Sequence, residues 1–434
     1  MIDNIRNKRK KIIKLFLKYT NTKKRQGIDV SCSPFIYPCT WFKNLGYIRL
    51  QSFYKNNNIS LFYQYIREAL YIAKLHDYKS EDPRISKSSA PKNLYISWFN
   101  EDDIYNNYKF KDRYIPLVTK KNNYWFLLNA SSHFKYSNSK NNKRYFIFQK
   151  ASNKQFNYIY LIKIFLKVVF KNKFSLLKII HQLNVDTIFS EIVVKNICSK
   201  IEKYNVKKII IAYEAQPFQK YLITTLRKKF KKIKIIGYLN AMQPFPIHLF
   251  GNNNLPDKIY SVSPAQKKHL SSIFNWDKKK IFLKKSFRFK KEISKFKNKI
   301  LLPYKITDPK IIYNAIYDLI KTKPKNYFSK IEVAPHPVGL LEKDYKNFVE
   351  DLKEMLKDFN KKFDKKKKKN FSFVVGSTSV IFEALELGLE VFHIVDQALL
   401  ESLDNRFWPT VDISKLSNNI FKYKIKAYKK LIIY

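Results

Sequence analysis

Cysteine, glycine and acidic residues are all scarce in this 434-residue chain. Three cysteines exclude a disulfide framework, and they do not have the spacing of a zinc site. Only seven glycines and 16 prolines exclude collagen-like and linker-dominated architectures. Hydrophobic residues, by contrast, make up 45% of the chain and aromatic residues 16%, more than a disordered chain carries. The sequence therefore predicts a globular protein of two or three domains in a reducing, cytoplasmic compartment.

The charge balance is strongly one-sided. Aspartate and glutamate number 34 against 85 lysines and arginines, which gives a formal net charge of +51. Such a surface attracts nucleic acids, anionic membranes and anionic small molecules. Arginine, the preferred residue for bidentate phosphate and guanine contacts, is sparse, and no nucleic-acid-binding motif is present. We expect no nucleic-acid partner; the alternative of a nucleic-acid-binding protein predicts a continuous basic stripe on one face.

Long apolar runs are also missing. The most apolar stretch, from Tyr158 to Phe170, is interrupted by Lys163 and Lys167 and falls short of the ~18–20 residues of a membrane-spanning helix. The basic N-terminal segment lacks the apolar core of a secretory signal. We expect a cytoplasmic protein, with peripheral contact to the anionic inner face of the membrane as an option. The N-terminal segment and the basic, aromatic segment 416–434 are the candidate contacts.

Short apolar strands alternate with helices through the second part of the chain, which is typical of parallel βαβ units. The segment 251–257 has the composition of a linker. We therefore predict an N-terminal α/β domain over residues 1–250, a C-terminal Rossmann-like domain over residues 258–415, and a basic tail or helix over residues 416–434. The pattern of residues 1–90 predicts no particular fold.

Ligands of parallel α/β sheets bind beyond the carboxyl ends of the strands. One predicted strand end carries His336 between two prolines, which restrict the backbone there. An imidazole at this position can donate a hydrogen bond to a phosphate or a carboxylate. The alternative is a buried histidine bonded to a carbonyl group.

A second strand end leads into a helix through a turn rich in hydroxyl groups. The turn consists of one glycine and three hydroxyl residues, Gly376, Ser377, Thr378 and Ser379. Free amides and the positive end of a helix dipole favour an anion, and hydroxyls add donors. A plain helix cap needs only one hydroxyl group, so the turn indicates a phosphate site. Glu383, one helical turn later, is a candidate acceptor for ribose hydroxyls or a surface residue.

The third strand end carries Glu214, directly before a predicted helix. Partial burial there would raise its pKa, as a general base requires, although an acidic residue also stabilises a helix N-terminus by itself. The cluster Glu101–Asp103 follows an earlier strand and is the competing candidate for the base. Candidate acceptor-side residues are Gln216, Asn240 and Gln243.

Residues 205–415 resemble the corresponding part of GT-B glycosyltransferases. His336-Pro337 resembles the His-Pro motif of bacterial GT-B sialyltransferases and related capsule transferases, which use CMP-activated sugars. The 376–379 turn resembles their Ser/Thr motif, and Glu383-Ala384-Leu385 with Gly388 resembles the helix that follows it. The resemblance implies an α/β, GT-B-like fold of two Rossmann-like parallel-sheet domains that face a central cleft.

The same resemblance implies a function. In that family the histidine contacts the nucleotide phosphate, the Ser/Thr motif holds it, and an acidic residue of the N-terminal domain is the base. His336 and Glu214 would then be catalytic, without a metal or a cofactor. The donor would be a nucleotide-sugar resembling CMP-sialic acid, and the acceptor a surface polysaccharide of the capsule or lipopolysaccharide type or a lipid-linked glycan. Poly(glycerol-phosphate) transferases and non-catalytic polysaccharide-assembly proteins remain alternatives.

Overall fold

The structure, a computed structural model, describes residues 2–25, 69–75, 80–81, 93–99, 104–105, 109–110, 112–116, 123–130, 144–150, 156–174, 179, 182–250, 254–304, 306, 308–324, 327–337, 339–362, 370–396, 398–426 and 430–434. The elements before residue 250 are α1 (Ile2–Arg25), β1 (Ser80–Glu81), β2 (Asn93–Trp98), β3 (Ile104–Tyr105), β4 (Lys109–Phe110), β5 (Asn123–Ala130), β6 (Arg144–Lys150), α2 (Tyr158–Lys171), α3 (Val185–Tyr204), β7 (Lys208–Ala212), α4 (Pro217–Lys229) and β8 (Lys234–Leu239). Those after it are β9 (Lys258–Ser261), α5 (Pro264–Ser272), β10 (Ile281–Leu283), β11 (Lys299–Leu301), α6 (Pro309–Thr322), β12 (Glu332–Ala334), α7 (Lys343–Lys362), β13 (Phe371–Val375), α8 (Val380–Glu386), β14 (Glu390–Ile394), α9 (Ala398–Glu401), β15 (Val411–Lys415) and β16 (Ile420–Ile425).

The first sheet has eight strands in the order β1-β6-β5-β2-β7-β8-β9-β10. All neighbours pair in parallel except β1, which is antiparallel to β6. Its central strand β7 is apolar on both faces because helices or loops cover both. Ile209 and Ile211 belong to one buried cluster, and Ile210 and Ala212 to another.

The second sheet has six strands in the order β12-β11-β13-β14-β16-β15. The first four are parallel, and β16 and β15 add an antiparallel hairpin at one edge. Helices α6 and α7 cover one face through Ile316, Leu319, Phe348 and Leu352. The predicted α/β class with two Rossmann-like sheets is therefore confirmed, with the antiparallel hairpin as an addition.

The strands are divided between the sheets differently from our expectation. β9 and β10 follow residue 258 but extend the first sheet, and the second sheet begins only at β11. Asp257 joins β9 to β8: its amide donates to the Ile235 carbonyl (2.9 Å), and its carboxylate accepts from the Ile235 amide (2.8 Å). The segment 416–434, expected as a tail or helix, contains β16, where buried Phe421 and Tyr423 alternate with polar residues.

A continuous apolar core joins the two halves. The buried cluster of the first sheet extends through Phe245, Phe407 and Trp408 to Phe382 of α8. The indole of Trp408 donates to the Pro244 carbonyl (3.2 Å). The two sheets are therefore packed against each other through side chains that are almost completely buried. Within the described part of the chain, no helix is long and apolar enough to cross a bilayer.

Candidate functional site

The carboxyl end of β7 presents Glu214 in a loop with many hydrogen bonds. The Gln219 side chain accepts from the Glu214 amide (2.8 Å) and donates to the Ala212 carbonyl (2.7 Å). The Gln216 side chain in turn donates to the Glu214 carboxylate (2.9 Å). Ala215 between them has a φ of 55°, an uncommon conformation for a residue other than glycine. The loop therefore holds the Glu214 carboxyl in one place.

Asn240 directly follows β8, the neighbour of β7 in the first sheet. Its side-chain amide donates to the Tyr114 carbonyl. The position of Tyr114 is set by Asp112, whose carboxylate accepts from the Tyr114 amide (2.7 Å) and the Ser97 hydroxyl (2.9 Å). Burial raises the pKa of Asp112 to about 6, against these hydrogen bonds. Gln243 lies partly buried further along the β8–β9 connection.

The second sheet presents His336 at the end of β12. Its backbone amide donates to the Tyr345 hydroxyl (2.9 Å), and its exposed ring lies edge-on to Tyr304, 6.1 Å between centroids. Desolvation, and secondly the charge of Arg113, lower the pKa of His336. Arg113 precedes Tyr114, whose carbonyl Asn240 contacts, so the charge that acts on His336 comes from the first half. Pro337 follows it in an exposed turn.

The turn after β13 is set by its glycine. Gly376 has a φ of 72°, donates to the Ile394 carbonyl (2.9 Å) and leads into partly exposed Ser377. The Thr378 hydroxyl accepts from the Val380 amide (3.3 Å), while Ser379 makes no side-chain cap hydrogen bond. Helix α8 has only seven residues, so the dipole contribution that we expected for anion binding is small. Donors at this turn are therefore its hydroxyls and amides.

A buried histidine that the sequence analysis did not single out supports this turn. His393 of β14 donates from Nε2 to the Gly376 carbonyl (2.8 Å), since a carbonyl oxygen can only accept. Its Nδ1 therefore accepts from the Tyr423 hydroxyl (3.1 Å), which accepts from the Leu403 amide (3.0 Å). Burial lowers the pKa of His393 to about 4, so the ring is neutral. In the sequence, the signal that could have identified His393 was a histidine within a predicted apolar strand.

Arg288, in the connection between the two sheets, acts electrostatically on both halves of the protein. Its guanidinium carbon lies 5.5 Å from the centre of the Tyr114 ring. Burial raises the pKa of Glu214 in the first half and of Glu383 in α8, and in both cases the charge of Arg288 acts in the opposite direction. One arginine in the connection between the sheets therefore acts on a carboxyl of each half. We call the region that carries Glu214, Arg288, Glu383 and His336 the cleft.

Two arginines of the cleft, Arg113 and Arg288, were also not among the predicted residues. Arginine is rare in this sequence, since most of the basic residues are lysines, and this rarity is the signal that could have identified the two residues. The competing acidic cluster Glu101–Asp103 lies outside the described residues. Among the residues that are described, three or more His, Cys, Asp or Glu side chains nowhere form a group able to hold a metal ion.

Comparison with known proteins gives weak similarities. No family model and no curated protein matches the chain. Sucrose-phosphate synthase from Thermosynechococcus elongatus superposes with a TM-score of 0.33 and 10% identity, over 62% of this chain and 70% of that one. A glycosyltransferase from Rickettsia africae superposes with a TM-score of 0.30 and 12% identity, over 69% and 78%.

Proposed function

We propose that the cleft binds a nucleotide-sugar and transfers its glycosyl group to a hydroxyl of a glycan or lipid-linked acceptor. The observation that supports this most is electrostatic. Glu214 and Glu383 follow strands of different sheets, and the charge of Arg288 opposes the burial-driven rise in the pKa of both carboxyls. A CMP-linked sugar is the favoured donor because of the His336-Pro337 and Ser/Thr resemblance. Arg113 and Arg288 add positive charge for an anionic leaving group.

In the proposed reaction, Glu214 removes the proton of the acceptor hydroxyl. The acceptor oxygen forms a bond to the anomeric carbon, and the bond from that carbon to the phosphate oxygen breaks. Glu214 suits the first step because burial raises its pKa and Gln216 fixes its carboxylate. The proposed acceptor contacts are Gln216, Asn240 and Gln243, which lie in the segments that follow β7 and β8.

The departing nucleotide carries the negative charge that develops. His336 has a lowered pKa and is therefore neutral near pH 7, so we assign it hydrogen-bond donation to the phosphate rather than proton transfer. The proposed donors on the other side of the phosphate from His336 are the hydroxyls of Ser377, Thr378 and Ser379 and the amides of their turn. Glu383 is the proposed acceptor for ribose hydroxyls. This chemistry assigns no step to a metal or a cofactor.

The decisive experiment is a thermal-shift panel of the full chain with CMP, UMP, CDP, UDP and GDP. Stabilisation by CMP alone is expected, and a response to UDP alone would reassign the donor. The Ser377→Ala variant should lose the response, while Ser414→Ala, an exposed serine on β15, should keep it. If none of the nucleotides stabilises the protein, the proposal is wrong. Nucleotide binding without transfer to any glycan acceptor would instead indicate a binding protein.

A further inference from the structure

Helix α2 exposes large apolar side chains along most of its length. Ile159 is 68% exposed, Ile162 57% and Phe170 64%. We define the α2 face by six exposed side chains: Tyr158, Ile159, Ile162, Phe165, Leu166 and Phe170. At 3.6 residues per turn they occupy an arc of roughly 140°. The helix packs on the protein through Val168 and partly buried neighbours on the opposite side, and near its C-terminal end also through Val169, which lies within the arc.

The α2 face is large for a monomeric soluble protein. An aromatic side chain has ~150–250 Å² of surface, so the six side chains together expose on the order of 500 Å². The largest apolar patch of a typical monomer covers ~300–600 Å² and is often functional. Phe174, 71% exposed and 5.8 Å from the Phe170 ring, extends the same surface beyond the helix. The α2 face is therefore of the size at which the largest apolar patch of a protein is often functional.

The charges beside this face indicate which partner. Lys163, Lys167 and Lys171 are exposed and lie along one flank of the apolar arc. The helix itself contains no acidic residue, and the closest ion pair, from Lys167 to Glu191, spans 3.9 Å at the surface. Apolar side chains bordered by lysines complement a bilayer whose headgroups are anionic.

We propose that the α2 face docks this protein in the plane of an anionic lipid bilayer. A helix of 14 residues is about 21 Å long and cannot span the ~30 Å hydrocarbon core, so α2 would lie along the surface. A second copy of the chain is the less suitable occupant, because α2 has no acidic residue that could pair with the lysine flank of the other copy. The proposal does not depend on the chemistry of the cleft.

The segments that the sequence favoured for this role are engaged within the protein. Helix α1 packs through Ile12 and through Arg9, whose guanidinium donates to the carbonyls of Leu399 and Ser402 (both 2.7 Å). The C-terminal segment forms β16 and then buries Leu431 and Ile432. Helix α2 is therefore the better candidate for docking.

The test is flotation of the full chain with vesicles of phosphatidylcholine alone or with 30 mol% phosphatidylglycerol. We expect binding to the anionic vesicles only. Replacing Ile162 and Leu166 together by glutamine should reduce bound protein at least 10-fold, as should the pair Lys163→Glu and Lys171→Glu. The matched controls are Leu341→Gln, a leucine that is 83% exposed on the other half, and the exposed pair Lys232→Glu and Lys278→Glu. These should bind as the unchanged protein does.

Three results would overturn the proposal. The first is no binding to anionic vesicles, or equal binding to neutral ones. The second is equal loss in the control variants, which would show that net charge rather than the α2 face is responsible. The third is a dimer in analytical ultracentrifugation that the Ile162/Leu166 variant abolishes, which would make this face an interface between copies. Thermal unfolding of each variant, with the CMP response measured in parallel, separates loss of docking from loss of fold or nucleotide binding.

Discussion

Two glycines with the same backbone conformation make the sharpest test of the proposed nucleotide site. Gly376 precedes α8 and Gly388 follows it, with φ values of 72° and 78°. A Cβ atom at residue 376 would meet only Pro303 Cγ at 3.7 Å, an ordinary contact, and one at residue 388 would meet nothing within 4 Å. An alanine at either position therefore fits sterically, and its cost is the conformational one, about 1–2 kcal/mol.

The functional consequences should differ although the stabilities do not. Gly376→Ala strains the turn that carries Ser377 to Ser379, whose backbone is held by the hydrogen bonds from Gly376 to Ile394 and from His393 to Gly376, so small shifts there displace the proposed phosphate donors. Gly388→Ala affects the C-terminal end of α8, where the Leu389 amide donates to the Ala384 carbonyl (3.1 Å). We expect a loss of at least 10-fold in CMP affinity for the first variant, about 1.4 kcal/mol, and less than 2-fold for the second.

The assay is urea unfolding to match the two variants, followed by calorimetric titration with CMP or with whichever nucleotide stabilises the protein. Equal destabilisation with affinity lost only in Gly376→Ala supports the turn as the phosphate site. Equal affinities in the two variants, whether both unchanged or both reduced, would refute the reasoning, because position relative to the turn would then make no difference.

Three further predictions follow from the charged groups. Glu214→Gln should lower the transfer rate by about 10²–10⁴-fold with nucleotide affinity retained. It should also remove the acidic limb of the pH–rate profile, which in the unchanged protein lies above the ordinary carboxyl pKa of 4.5 because burial raises the pKa of Glu214. An unchanged rate would exclude Glu214 as the base. Arg288→Gln should move that limb to higher pH, since the charge that favours ionised Glu214 is lost; a limb that stays in place would show that Arg288 does not act on this carboxyl. Arg9→Met should cost about 3–5 kcal/mol in urea unfolding, because it leaves buried Asp404 with fewer partners. Arg6→Met, at a partly exposed arginine paired with exposed Asp3, should cost under about 0.5 kcal/mol; similar values for both would contradict the burial argument.

The βαβ pattern was the most predictable part of the fold. The apolar run Phe371–Val375 predicts a strand, and β13 has these bounds; a helix is predicted from Phe218, and α4 begins one residue earlier, at Pro217. These elements are specified locally: short, mostly apolar runs make buried parallel strands, and proline at the first helical position suits its fixed φ. Apolar periodicity therefore located the strand ends, and with them the loops that carry Glu214, His336 and the Gly376 turn.

The sequence did not reveal how strands are shared between sheets or which residues meet across the cleft. Alternation continues unchanged across 251–257, so nothing local distinguishes β9, which pairs with β8, from the start of a new sheet. Arg288 lies in an irregular connection without periodicity, and its relation to Glu214 and Glu383 depends on how the halves pack. His393 has its role only because β14 pairs with β13 and with β16.

The packing between the halves also bears on how the cleft works. The connection after β8 carries Asn240 at the cleft, and four residues later Pro244 accepts the hydrogen bond of the Trp408 indole from the other half. Phe245, next in the chain, packs against Phe407 with ring centroids 5.8 Å apart. Because one short segment forms both the proposed acceptor side and the buried joint, displacement of the second sheet must move the acceptor contacts with it. The proposed acceptor and donor sides are therefore coupled mechanically by an apolar joint, in addition to the electrostatic coupling through Arg288.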